Sequence, residues 1–166
     1  MKRMACFSLL VLVAIVASAA TIVAQSGACS PIGGLNFICG LQAPEDLVLV
    51  PGTRWLIASG MSAGSGLHLI DTQAKTARTL FGAGAAGARA DKAKFAACPG
   101  PLDPKQGILH GLSLRPAQGG RYTLYATNHG GRESIEVFDL DASGAAPAAT
   151  WIGCVLMPNG WAAARS

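Results

Sequence analysis

The sequence predicts an all-β protein: a β-propeller fragment of two four-stranded antiparallel blades and the start of a third, after an N-terminal signal helix. From residue 45 onward, apolar residues stand in short runs separated by turn residues, a pattern typical of closely spaced antiparallel strands. The chain also aligns with itself after a shift of 68 residues. The predicted strands span residues 46–50, 55–59, 66–71, 77–81, 111–115, 122–127, 134–140 and 150–156.

The internal repeat favours a propeller over other all-β folds. Residues 56–59 (LIAS) align with residues 124–127 (LYAT), and residues 67–71 (LHLID) align with residues 135–139 (IEVFD). Each unit has the order of a propeller blade: strand, turn, strand, loop, a strand ending in Asp, and a fourth strand. A β-sandwich with hairpins of similar length is the alternative, and without the repeat it would be the preferred prediction.

The repeat divides the chain into blades over residues 45–81 and 108–156, joined by a connector over residues 82–107. The connector is rich in Gly and Ala and then in Pro, which predicts a loop with at most a short helical turn within residues 82–97. Residues 158–161 (PNGW) look like the opening of a third blade. Because propellers have about four to eight blades, we expect residues 45–166 to be an incomplete domain of a longer protein.

The N-terminal residues 1–25 have the composition of a signal peptide. Lys2 and Arg3 precede an apolar run over residues 5–23, and cleavage after Ala20 or near Gln25 satisfies the small-residue rule. The sequence therefore predicts a secreted or periplasmic protein with a short N-terminal segment over residues 26–44. An uncleaved membrane anchor is the alternative, because the apolar run is long enough to span a bilayer.

The charge of the chain argues against a nucleic-acid-binding protein. Without Lys2 and Arg3, the excess of basic over acidic residues falls to two. The basic residues are scattered and aromatic residues make up 6% of the chain. The sequence therefore offers neither a basic stripe nor a stacking platform for bases.

The cysteines point to disulfide bonds in an oxidising compartment. Cys6 belongs to the signal segment, which leaves Cys29, Cys39, Cys98 and Cys154 with three ways of pairing. No two cysteines have the C-x-x-C spacing of a structural zinc site. We favour the pairs Cys29 with Cys39 and Cys98 with Cys154.

Three polar residues occupy equivalent places before or at the first strand of a unit: Glu45, His110 and Asn159. In a propeller the innermost strands run parallel to a central channel, so these residues should meet at one of its mouths. A carboxylate and an amide oxygen suit calcium, and an imidazole can act as a general base. His129 ends the next strand and is expected to lie behind His110 and orient it.

Each of these residues also has a simpler interpretation. Glu45 and Asp46 can be a solvated loop pair, His110 a structural histidine, and Pro-Asn-Gly a turn. Their common position in the repeat is what favours a site. His68 should point outward, away from Leu67 and Leu69, and we assign it no role. The aromatic residues on the strands are expected to pack between blades: Trp55, Tyr122, Tyr125 and Phe138.

At these positions the sequence resembles the paraoxonase/arylesterase family of six-bladed propellers, which is related in fold to gluconolactonases and strictosidine synthase-like proteins. Four short motifs carry the resemblance in the order of that family's N-terminal part, and the similarity covers about residues 39–164. The motifs are residues 44–47 (PEDL), 108–114 (ILHGLSL), 126–129 (ATNH) with 134–138 (SIEVF), and 156–159 (LMPN).

The resemblance implies a calcium-dependent hydrolase of lactones and aryl esters. In that family a central calcium holds the substrate carbonyl oxygen while a histidine pair helps to activate water. Glu45 and Asn159 match calcium ligands, His110 and His129 match the histidine pair, and Asp46 matches a ligand of a second, structural calcium. The family has Asn-Asp where this chain has Asn-Gly at residues 159–160, a departure that bears on the second calcium.

The sequence therefore predicts the N-terminal part of an exported lactonase or arylesterase with calcium as cofactor and a small ester or lactone as substrate. We expect the chain by itself to be inactive, because the family's later calcium ligands would come from further blades. The alternative is a non-catalytic binding or structural protein derived from a propeller. We expect no nucleic-acid partner, and membrane association only through an uncleaved signal segment.

Overall fold

The computed structural model describes residues 29–82 and 87–158. The predicted signal segment and Asn159 lie outside these residues. The described part of the chain is all-β, as predicted, and consists of two sheets with no α-helix. Within it, no helix is long and apolar enough to cross a membrane.

The first sheet has four antiparallel strands in sequence order: β1 (Pro44–Leu49), β2 (Trp55–Gly60), β3 (Leu67–Asp71) and β4 (Thr76–Phe81). Short turns join them, since each strand is followed by residues that favour a reversal of the chain. Gly52 in the first turn has a φ of 71°, which costs an L side chain energy and glycine almost none.

The second sheet has five strands: β5 (Gly87–Ala88), β6 (Leu109–Pro116), β7 (Arg121–Asn128), β8 (Ser134–Asp141) and β9 (Ala148–Leu156). Their order is β5-β9-β8-β7-β6. The pairs from β6 to β9 are antiparallel, whereas β5 pairs with β9 in parallel. The second sheet is therefore mixed rather than purely antiparallel.

Strand β5 corrects the prediction that the whole connector is a loop. Gly87 pairs with Thr150 and Ala88 with Trp151, and the Arg89 N–H then donates to the Trp151 carbonyl. The segment was missed because two small residues carry no apolar alternation; the backbone of β9 supplies the pairing instead. All eight predicted strands are confirmed, with ends that differ by at most two residues.

The core lies between the two sheets and draws on both. Its largest fully buried members from the first sheet are Ile57, Leu67 and Leu69, and those from the second include Phe138 and Trp151. Phe81 meets Phe138 edge to face, with ring centroids 4.8 Å apart. Each such side chain contributes about 1.5–3 kcal/mol through burial, so this interface holds the two sheets together.

Three of the four aromatic residues predicted to pack between blades lie in or against the core between the two sheets. Phe138 is fully buried in the core, and Trp55 and Tyr122 pack against it. Tyr125 lies on the opposite face of its sheet, because it alternates with the core residues Leu124 and Ala126.

His68 requires a correction. It alternates with Leu67 and Leu69 and so lies on the other face of β3, but that face is covered and only 5% of His68 is exposed. Its Nε2 has no hydrogen-bond partner. Burial lowers the pKa of His68 below the usual value, since the charged imidazolium loses hydration.

Both favoured cysteine pairs are joined. The Cα atoms are 6.1 Å apart in the pair Cys29 and Cys39, and 5.3 Å apart in the pair Cys98 and Cys154, within the normal range for disulfides. The second bond ties the connector to strand β9. Two disulfides are consistent with an oxidising, extracellular type of environment.

Candidate functional site

Two matching β-bulges, one in β1 and one in β6, build the site from an edge strand of each sheet. Between Pro44 and Leu47, two residues of β1 stand opposite one residue of β2. Between Leu109 and Leu112, two residues of β6 stand opposite one of β7 in the same way. A bulge turns side chains away from the regular alternation. Glu45 and His110 each occupy the first extra position, one in each bulge.

The two bulged residues contact one another across the sheets. Strand β1 packs beside β6, and Glu45 Oε1 lies 3.1 Å from His110 Nε2. The imidazole side chain is 6% exposed, whereas the carboxylate is 34% exposed. Glu45 therefore lies within ion-pair distance of a buried histidine while keeping access to solvent.

His129 lies directly beside His110, as the sequence predicts. Their ring centroids are 5.7 Å apart and the rings meet edge to face at 62°. The backbone fixes this position, because the His129 N–H donates to the carbonyl of Ile108, two residues before His110. On its far side His129 Nδ1 lies 2.8 Å from Glu133 Oε2.

The result is a four-membered row of Glu45, His110, His129 and Glu133. An oxygen of each outer carboxylate lies within 3.1 Å of one nitrogen of the nearer ring. The second nitrogen of each ring, His110 Nδ1 and His129 Nε2, is buried without a hydrogen-bond partner. Two imidazoles in contact, each with one nitrogen unused, are the strongest chemical feature of the described residues.

Asp46 has a structural place in the same bulge. Its Oδ1 accepts from the Leu47 N–H at 2.8 Å, and its Oδ2 accepts from the Leu112 N–H of the second sheet at 2.6 Å. Its own N–H donates to Ser59 Oγ. The carboxylate therefore links the two bulges. Its role as a ligand of a second calcium stays a prediction.

Asn128 is a residue that sequence reasoning noted within a motif but gave no role. Its side chain is fully buried and serves the loop that carries His129. The amide nitrogen donates to the carbonyls of Gly130 and Arg132 at 2.9 and 2.7 Å. The amide oxygen accepts from the N–H groups of Ile108 and Gly130 at 3.1 and 3.2 Å. An Asn before a Gly-Gly turn was the available signal.

A buried ion pair below this loop was missed altogether. Glu136 has no exposed surface, and its carboxylate takes two hydrogen bonds at 2.8 Å from the Arg132 guanidinium. Ser134 Oγ and Trp151 Nε1 donate at 2.6 and 2.7 Å. Arg132 also donates to the Gly100 carbonyl at 2.9 Å. A Glu between apolar residues on a central strand was the signal.

Of the three predicted metal ligands, the described residues include Glu45 and Asp46. Glu45 lies at the site, Asp46 is engaged by backbone N–H groups, and Asn159 is outside the described residues. Across residues 29–82 and 87–158, no group of three or more His, Cys, Asp or Glu side chains is arranged to hold a metal ion. Glu45 is therefore the one predicted ligand in this part of the chain whose carboxylate faces the histidine pair.

Comparison with known proteins found no match. No family model matches the chain, and the searches of curated proteins and of solved structures returned no significant similarity.

Proposed function

We propose that the two sheets are consecutive blades of a propeller and that the row of Glu45, His110, His129 and Glu133 belongs to a calcium-dependent ester or lactone hydrolase. The blade interpretation is supported by the strand order, the repeat and the sheet-on-sheet core. The hydrolase interpretation is supported by the resemblance of four sequence motifs and by the chemistry of the site.

The histidine pair is the observation that carries the proposal. A general base must offer an unprotonated nitrogen near the water it activates. Each ring has a carboxylate on one nitrogen and a free, buried nitrogen on the other. A carboxylate next to imidazole also stabilises the cation that forms when the ring accepts a proton. His110 is assigned as the base and His129 as its partner.

Glu45 is the residue that would hold calcium. One of its oxygens contacts His110 Nε2, and the side chain is one-third exposed, so solvent reaches it. Calcium takes about 6 to 8 oxygen ligands. Among the described residues, Glu45 would supply only part of such a ligand set. When bound, the ion supplies positive charge for the carbonyl oxygen of the substrate. Asn159 is the other proposed ligand.

The non-catalytic alternative also has a specific observation in its favour. The Glu45–His110 contact and the Asp46–Leu112 hydrogen bond both join the first sheet to the second. Groups of this kind can be retained because they hold two sheets in register. A propeller-derived binding or structural protein would keep them without using them for hydrolysis.

The test is a calcium titration of the whole chain combined with an assay of phenyl acetate and a simple lactone. We expect weak binding, with a dissociation constant on the order of 1 mM or higher, because few oxygens are in place. Calcium should shift the NMR signals of the His110 ring, since it competes for Glu45. Glu45→Gln should lose this response.

His110→Gln separates metal binding from hydrolysis. It should keep calcium binding and lose any calcium-dependent hydrolysis above background. Asp141→Asn, which changes a carboxylate at the far end of β8, is the control and should alter neither. If Glu45→Gln bound calcium as tightly as the parent, the metal assignment would be wrong. Because the chain by itself is expected to be inactive, the calcium response decides between the two hypotheses: a His110 ring that does not respond to calcium in the parent would favour the non-catalytic alternative.

A further inference from the structure

The loop that carries His129 is held rigid by the protein around it. Residues 129–133 join β7 to β8, and the buried Asn128 side chain makes hydrogen bonds to both the start and the end of this loop. The Asn128 amide oxygen also ties the loop to the Ile108 N–H. Because the donors and acceptors of this amide are all engaged, the loop has little freedom to move.

Both ends of the loop are anchored as well. The His129 N–H donates to the Ile108 carbonyl at 3.0 Å, and the Glu133 carbonyl accepts from the Met157 N–H at 3.0 Å. Arg132, one residue before Glu133, is fixed by its bidentate pair with the buried Glu136. Glu133 therefore stands on a backbone that is held by the residue before β6 and the residue after β9.

In this frame, the Glu133 carboxylate lies 2.8 Å from His129 Nδ1. An ionised carboxylate only accepts hydrogen bonds, so the contact requires a proton on Nδ1. In the neutral ring, Nε2 then carries the lone pair, and Nε2 is the buried nitrogen without a partner. The partner of one ring nitrogen thus decides the chemistry of the other.

We propose that Glu133 is a positioning residue, which holds neutral His129 in the Nδ1–H tautomer and so leaves Nε2 free as an acceptor beside His110. The inference rests on the proposed function for its use in hydrolysis, but the tautomer itself is a property of the folded chain. It assigns a role to a residue that lies outside the motifs carrying the family resemblance.

The experiment reads the tautomer directly. Histidine labelled with ¹⁵N in the full chain gives long-range ¹H–¹⁵N correlations that distinguish Nδ1–H from Nε2–H rings at about pH 8.5, where imidazole is neutral. For the parent we expect His129 to be predominantly Nδ1–H. Glu133→Ala should move His129 toward the Nε2–H form, which is favoured by imidazole in water.

Two further variants separate positioning from general stability. Glu133→Gln keeps an oxygen that can accept from Nδ1–H and should restore the tautomer of the parent. Glu133→Asp shortens the side chain by one methylene and should lose it, which provides the test if Glu133→Ala does not fold. Asp141→Ala, a loss of a carboxylate at the other end of β8, should leave the tautomer unchanged.

The proposal is overturned if His129 is Nε2–H in the parent, if it stays Nδ1–H in both the Ala and Asp variants, or if Asp141→Ala shifts it equally. None of these outcomes depends on hydrolysis. A parent chain that shows the Nδ1–H form but whose His110 ring does not respond to calcium would therefore contradict the proposed function and leave the role of Glu133 intact.

Discussion

The two sheets share a backbone design down to its irregularities. In the first sheet Leu56 pairs with Ile70, and in the second the residues 68 positions later, Leu124 and Phe138, pair in the same way. Strands β1 and β6 also have bulges at matching places, before Leu47 and before Leu112. Pairing and bulges are thus a common property of both sheets.

The polar residues at equivalent positions differ sharply. His68 in the first sheet corresponds to Glu136 in the second, and both are buried. His68 Nε2 has no partner, whereas the Glu136 carboxylate accepts four hydrogen bonds. Gly60, opposite Pro44, corresponds to Asn128, opposite Leu109. The same strand arrangement therefore surrounds a buried histidine with an unpartnered nitrogen in the first sheet and a buried hydrogen-bond network in the second.

The largest expected effect is on the free energy of unfolding, when the buried polar residue at one or the other of these equivalent positions is replaced. Glu136→Gln leaves the Arg132 guanidinium, 17% exposed, without its counter-charge. Breaking a buried ion pair costs about 3 to 5 kcal/mol. His68→Leu removes an unpartnered polar group and should change stability by about 1 kcal/mol or less. Urea unfolding of both variants measures the contrast.

Equal losses in the two variants would break the comparison, since they would mean that His68 is as strongly engaged as Glu136. Arg132→Met in the Glu136→Leu background is the matched control. When both charges are replaced by apolar groups, much of the lost stability should return.

The second prediction compares the disulfides. Cys98 and Cys154 are 56 residues apart, whereas Cys29 and Cys39 are 10 apart. Chain entropy assigns about 4 kcal/mol to the longer loop and about 3 kcal/mol to the shorter one. The shorter loop should contribute less than this, because its segment is mostly exposed and adds no core residue.

Replacing each pair by serines and measuring thermal unfolding tests this order. The Cys98/Cys154 variant should have the lower melting temperature, and its connector should become the first site of limited proteolysis. A larger loss in the Cys29/Cys39 variant would show that the N-terminal segment stabilises the first sheet more than its exposure indicates.

The fold could be predicted to the level of individual strands because apolar alternation and turn residues act locally. Residues 55–59 and 134–140 needed no information from the rest of the chain. Strand β5 could not be predicted in this way, since Gly87 and Ala88 are ordered by the backbone of β9. The burial of His68 was also beyond a strand-by-strand argument, because it depends on what covers the outer face.

The site could be predicted only where the repeat supplied a position. Glu45 and His110 stand at equivalent places, and the structure brings them into contact with each other and with His129. Glu133 and Asn128 belong to a loop whose shape follows from hydrogen bonds between distant residues. No periodicity marks such residues, so their roles emerge only from the folded chain.

The third prediction concerns the loop between β2 and β3 and the loop between β7 and β8. A Cβ added at Gly66 would overlap the Phe81 carbonyl oxygen, and one at Gly130 would overlap the Gln106 carbonyl oxygen. Alanine at either position should cost about 2 to 3 kcal/mol, since backbone must move. Gly119→Ala, with a φ of 69° and open space around it, should cost about 1 kcal/mol.

Differential scanning calorimetry of the three alanine variants checks this order. Similar losses for Gly66→Ala and Gly130→Ala would indicate that both loops are equally tight. If Gly130→Ala cost no more than Gly119→Ala, the loop that carries His129 would be less rigid than its hydrogen bonds imply.

The smallest expected effect is a shared acid sensitivity of the turns that follow β3 and β8. The pKa of Asp71 is lowered chiefly by the Ala74 N–H, then by the Gln73 N–H and Arg54. The pKa of Asp141 is lowered by the Ser143 hydroxyl and N–H and by Arg121. The two sheets thus place an aspartate with the same electrostatic role at the same kind of turn.

A carboxylate whose pKa is lower in the folded than in the unfolded chain stabilises the fold above its unfolded pKa, about 3.9. This contribution is lost as the pH falls through the folded value. Asp71→Asn and Asp141→Asn remove it, so each variant should lose less stability than the parent between about pH 5 and pH 3. Urea unfolding at both pH values measures the change.

Since the two aspartates act alike, the double variant should flatten the pH dependence by the sum of the single effects. If the pH dependence of stability were unchanged in either single variant, the aspartate of that turn would not have the electrostatic role proposed here. The two sheets would then share their strand pairing but not the electrostatics of their turns.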